Sequence, residues 1–173
     1  MLELFRPRFE GSLELPGLPA DFPARIAARV ERGLLVPGRR NRANYRVLET
    51  GPDAVRFAAG DWSTGINLGL NAVRIEREGA GRLHYEVVFP VWARYVRVLS
   101  AGIGSVLALC SLIPAVAAEI DAYPGGLAWF WGAVLFWGLV WPHLLVALHK
   151  RAAARFLERV LREELVPQVR AGA

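Results

Sequence analysis

The sequence has one cysteine, Cys110, so no intrachain disulfide can form. That thiol lies inside a strongly apolar run and reads as a small packing residue. The three histidines, His84, His143 and His149, fall in separate stretches with no Cys or His at ligand spacing, so neither a metal site nor a cofactor is expected. No Ser, His and acid grouping can be assembled either, and no catalytic constellation is expected. Gly65-Ile-Asn-Leu-Gly-Leu-Asn71 is a glycine-containing segment without the Lys-Ser/Thr ending of a phosphate loop. Asn67 and Asn71 read as turn or strand-end residues, or as the lining of a small site. The net charge of +5 comes from 20 Arg and a single Lys against 16 acids, an excess of Arg that codon usage explains. The basic residues are too sparse, and too little interleaved with aromatics, for a nucleic-acid surface. Residues 1–20 mix Glu3, Arg6, Arg8, Glu10 and Glu14 with three prolines and lack the apolar core of a cleavable secretory signal, so the N-terminal part is expected not to be exported by a signal of its own.

The absence that organises the chain is one of charge. From Val98 to Ala118 and from Leu127 to Leu148, runs of 21 and 22 residues, there is no Asp, Glu, Lys or Arg, whereas residues 1–97 carry 26 of them. A helix rising 1.5 Å per residue needs about 20 apolar residues to cross a hydrocarbon layer of about 30 Å. Each run suffices for one crossing, and a buried pair of such helices would need an apolar partner larger than the remaining residues supply. Glu119-Ile-Asp-Ala-Tyr-Pro-Gly-Gly126 between them suits a tight turn. The expected organisation is a domain over residues 1–95, a transmembrane hairpin over 96–148 with spans near 97–118 and 127–148, and a tail over 149–173. Arg94 and Arg97 precede the first span and Lys150, Arg151, Arg155, Arg159 and Arg162 follow the second, while the turn has no basic residue, which puts both chain ends on the cytoplasmic side. Trp92 and Tyr95 suit the inner boundary; Tyr123, Trp129 and Trp131 suit the outer one.

Helices in lipid associate through close packing of small side chains. Ser100, Gly104 and Ala108 stand at four-residue spacing, followed by Ser111 and Ala115, a candidate seam against the second helix or another subunit. Pro114 and Pro142 each remove a backbone donor, and the second should free the Gly138 carbonyl and bend its helix. His143, next to that proline, is the candidate intramembrane polar site: either a structural hydrogen-bonding group or a proton relay or ligand.

After the hairpin, Ala153, Phe156, Leu157, Val160, Leu161 and Leu165 recur with helical period opposite a basic face, predicting an amphipathic helix that either lies on the leaflet or, preferably, packs on the N-terminal domain. That domain reads as α+β, a small mainly antiparallel sheet with one covering helix. Phe9–Leu15 makes a strand. Asp21 caps a helix that Pro23 begins and Gly33 or Leu34 ends, with Phe22, Ile26, Val30 and Leu34 on one face. Tyr45, Val47 and Leu48 pair across Gly-Pro-Asp with Val55 and Phe57, and Val73–Arg77 pairs across Glu78–Gly81 with Leu83–Phe89. His84 reads as a surface strand residue. Arg39, Arg40 and Arg42 form the densest basic cluster of the domain; with Arg94, Arg97, Lys150, Arg151 and Arg155 they are candidate contacts for anionic lipid.

Ile66-Asn-Leu-Gly-Leu-Asn-Ala-Val-Arg-Ile75, Gly81-Arg-Leu-His-Tyr85 and the aromatic approach to the first span resemble small uncharacterised bacterial membrane proteins that join a cytoplasmic strand-rich domain to a C-terminal helical hairpin. The resemblance covers residues 44–162 and implies a bacterial inner membrane without transferring any functional residue. The expectation is a non-enzymatic accessory or scaffolding protein, with membrane lipids and a protein partner or second copy as its contacts. A protein binding lipid or a small ligand through the sheet, Trp62 and the basic loop, or an oligomeric transport or channel component, are the alternatives.

Overall fold

The structure is a computed structural model that describes residues 6–35 and 44–166. Of these, residues 93–148 form one compact unit, and residues 6–92 with 149–166 form another.

The larger unit is a five-stranded antiparallel sheet of order β1-β5-β4-β3-β2, with β1 Arg8–Glu14, β2 Tyr45–Thr50, β3 Ala54–Ala59, β4 Ala72–Arg77 and β5 Arg82–Val88. Strict alternation puts Val55, Phe57, Val73, Ile75, Leu83, Tyr85 and Val87 on the covered face, all buried. Helix α1, Phe22–Gly33, lays Phe22, Ile26 and Val30 on that face, and Leu34 at its C-terminal end is buried too. Each such side chain contributes about 1.5–3 kcal/mol by leaving water. The Asp21 carboxylate does not cap α1. It accepts instead from Nε of Arg25 one turn on, at 3.0 Å, and the first turn is stabilised by the proline at position 23.

A second helix shares the cover. Ala153, Leu157, Val160, Leu161 and Leu165 join the same apolar cluster as the sheet and α1, so the tail helix packs on the domain. Arg32 of α1 meets Glu164 at 2.9 Å, and the buried Arg29 reaches Glu163 at 3.8 Å. Between the two helices and the strands, Tyr85 donates its hydroxyl to Glu158 Oε1 at 2.6 Å. The Tyr85 ring lies over Gly11, its cross-strand partner, and fills the space a Cβ there would need.

Two local features differ from the sequence pattern. Leu48 is 57% exposed: Tyr45 and Val47 take the inward positions, so alternation turns Leu48 outward, and the β2–β3 register shifts beside it, between Val47 and Glu49, as a bulge. The stretch read as a glycine-containing turn begins inside a short helix, α2 Trp62–Asn67, started by Asp61, whose carboxylate accepts from the Thr64 amide at 2.7 Å.

The smaller unit is helical. The first apolar run is built as α3, Pro90–Cys110, and α4, Pro114–Asp121, because Ile113 before Pro114 is extended (φ −79°, ψ 119°) and a helix rarely continues through such a residue. The second run is α5, Gly126–Leu135, a π-turn over Phe136–Val140, and α6, Trp141–Leu165, without a break in the helical backbone. Two of these stretches, Pro90–Cys110 and Gly126–Leu165, are long and apolar enough to cross a membrane.

Candidate functional site

In the helical unit, the small residues meet. A buried stripe of Ala93, Val96, Ser100 and Gly104 on α3 corresponds to a buried stripe of Val134, Pro142 and Val146 at four-residue multiples on the second arm. At the crossing, a Cβ on Gly104 would stand 3.0 Å from the Gly138 Cα, so the two backbones approach as only glycines permit. Gly104 therefore meets the second arm, Ser100 one turn back on the same stripe is buried, and Ala108 one turn on is half-buried. Pro142 cannot donate to the Gly138 carbonyl. The helix absorbs this with a π-turn, in which the Trp141 amide donates to the Phe136 carbonyl five residues back. Pro142 itself is buried and His143 beside it is exposed.

Arg94 and Arg97 are exposed on α3. In the larger unit, Lys150 is half-buried, whereas Arg151 and Arg155 are exposed and Arg155 Nε donates to the Arg151 carbonyl at 3.2 Å. Arg39, Arg40 and Arg42 lie outside the described residues.

Sequence reasoning gave no role to His149, the first residue after the second apolar run. Its ring stacks on Trp92 with centroids 3.9 Å apart and planes 19° apart, and meets Phe89 edge-on at 5.0 Å. Its Nε2 is buried against the backbone of Gly69, without a well-formed hydrogen bond. Burial pushes the imidazole down to about 4, an effect the Gly69 backbone only partly offsets, so the ring is neutral. Gly69 has φ +68° and no room for a side chain against the ring, which explains a glycine there. The neighbouring Asn71 is a second knot: its Nδ2 donates to the Gly65 carbonyl at 3.0 Å and its Oδ1 accepts from the Val91 amide at 2.7 Å. It thus fixes the exit from β5, a structural duty at a strand end. The only sequence signal for the His149 cluster was the expected boundary position of Trp92 before the first apolar run, and pairing it with His149 needed the fold.

Among the described residues of this unit, none covers the sheet face turned away from α1 and the tail helix. A groove of about 410 Å³ crosses it, lined by Glu49, Arg56, Arg74 and Glu86 with Val88 and small apolar residues. The register sets Arg56 opposite Arg74 and Glu86 opposite Glu10. Like charges directly opposite one another across strands are destabilising. Glu49 opposite Arg56, Arg74 opposite Glu86 and an Arg74–Glu76 contact at 2.9 Å give partial relief. Trp62 is 68% exposed and lies outside this groove, on α2. His84 is half-buried on the same uncovered face, opposite Ser12 and Glu76. Among the described residues no three His, Cys, Asp or Glu side chains gather as a metal-holding group.

Compared with protein-family models, curated proteins and solved structures, the chain matches none.

Proposed function

We propose that this chain is an integral protein of a bacterial inner membrane, with both ends in the cytoplasm, whose helical hairpin anchors a non-enzymatic scaffold domain that binds a protein partner through the uncovered face of its sheet. The observation that carries the anchor is the exposure of the apolar helices. Only 22% and 17% of their most apolar stretches are buried, and Val98, Leu109, Leu112, Trp129 and Leu139 are all more than 60% exposed. A core helix of a water-soluble protein buries most of such a stretch; lipid is the solvent in which this surface is stable. The orientation is supported by charge, since Glu119 and Asp121 are the only charged residues between Arg97 and Lys150.

The partner surface is supported by the sheet. Two helices close one face and leave the other with paired like charges, an arrangement that costs stability and that a complementary charged surface would offset. Photo-crosslinking from positions 56 and 74 in native membranes, with position 25 on α1 as control, tests the surface. A discrete adduct from the first two positions alone is expected. Identical patterns from all three positions refute the docking face, and release of the chain by alkaline carbonate refutes the anchor.

A further inference from the structure

The turn end of the hairpin holds a cavity of about 600 Å³ with almost wholly apolar walls. Val116, Glu119 and Ile120 come to it from α4, Tyr123 from the turn, and Trp129 and Phe130 from α5. The break before Pro114 and the left-handed Gly125 (φ +70°) let the two arms form its sides. Gly126 packs against the Ile120 carbonyl with no room for a side chain. Tyr123 and Trp129 are 68% and 81% exposed, although large aromatic rings are costly to leave in water.

Glu119, an exposed residue, is the one acid among those that border this open apolar and aromatic groove, and no Lys or Arg occurs between Arg97 and Lys150 to neutralise it. A carboxylate beside the faces of Trp, Tyr and Phe is the chemistry that recognises an organic ammonium ion, by charge-assisted N–H donation and by cation–π attraction. The cavity walls suit the hydrocarbon that such an ion carries in a membrane. We infer that this cavity binds the ammonium headgroup of an ethanolamine phospholipid, with Glu119 as its anionic acceptor and Trp129 and Tyr123 as its aromatic walls. The inference rests on the membrane reading above. An ethanolamine head offers three N–H donors to Glu119. A choline head keeps the charge but has none, and a glycerol head, with the same phosphate, has no cation to offer Glu119.

The test uses the full chain in mild detergent, titrated with phosphatidylethanolamine, phosphatidylcholine and phosphatidylglycerol of matched chain length and read by native mass spectrometry. Phosphatidylethanolamine is expected to bind at least tenfold more tightly than phosphatidylglycerol and more tightly than phosphatidylcholine. Glu119→Gln and Trp129→Ala should each reduce that preference at least fivefold, while Asp121→Asn, outside the cavity, should leave it intact. Equal binding of the three lipids, or an unchanged preference in Glu119→Gln, overturns the site. Carbonate extraction of the same proteins separates the two ideas: a chain that stays in the membrane pellet without discriminating headgroups sinks the cavity assignment alone, whereas an extractable chain sinks both.

Discussion

Tyr85→Phe isolates a single bond between the sheet and the tail helix. The ring stays, so Gly11 remains covered and the apolar packing is unchanged; what is lost is the 2.6 Å donation to Glu158 Oε1. Hydrogen bonds to charged groups contribute about 1.5–3 kcal/mol, and the partly buried position of this one keeps it within that range. Burial and the Glu158 hydrogen bond both push the phenol above its ordinary value, so the donor keeps its proton throughout the useful pH range. At 1.4 kcal/mol per factor of ten, the tail helix should open roughly 10- to 150-fold more often. Amide hydrogen exchange of the full chain in detergent, followed over residues 153–165, measures this directly. Glu158→Ala should match Tyr85→Phe, and the double variant should add little to either, because the two side chains share one interaction. Unchanged exchange in Tyr85→Phe, or strictly additive effects in the double variant, would refute the reasoning.

His149 makes stability depend on pH with a definite sign. Its folded value of about 4 lies below the unfolded value near 6.5, so the unfolded chain takes up the proton first; stability is intact above pH 6.5 and falls as pH drops toward 4, by roughly 1–3 kcal/mol after allowing for partial exposure. Melting temperatures across that window should slope downward for the native chain, and His149→Phe, which keeps a stacking ring on Trp92, should flatten the slope. Gly104→Leu should weaken the hairpin by about 1–3 kcal/mol through overpacking against Gly138, measured as thermal stability in detergent, with Ala108→Leu costing less at the seam margin. Arg56→Thr removes one of two facing arginines; stability should hold or rise by about 0.2–1 kcal/mol while the crosslinked adduct from position 74 is lost. His143→Leu, at an exposed position, should leave membrane insertion unaltered, as read by carbonate extraction.

Patterns with a local cause were legible in the chain. Alternation gave both hairpins, the four-residue recurrence of Phe22, Ile26, Val30 and Leu34 gave the buried face of α1, and the Ser100 and Gly104 spacing gave the seam. Asp61 and Thr64 carried a capping signal that the neighbouring glycines masked, so α2 read as a turn. Asp21 illustrates the opposite case: the residue type suits a cap, but an Arg one turn later claims its carboxylate.

By itself, the sequence determined the α+β character of the larger unit, the two apolar runs and the amphipathic tail, because each follows from periodicity or from the presence or absence of charge along a few turns of chain. Only the tertiary structure decided that the tail helix completes the domain core, that Gly104 meets Gly138, and that His149 stacks on Trp92. These join residues 34 to 152 positions apart, where no local propensity operates and only the packing of whole elements sets which side chains meet.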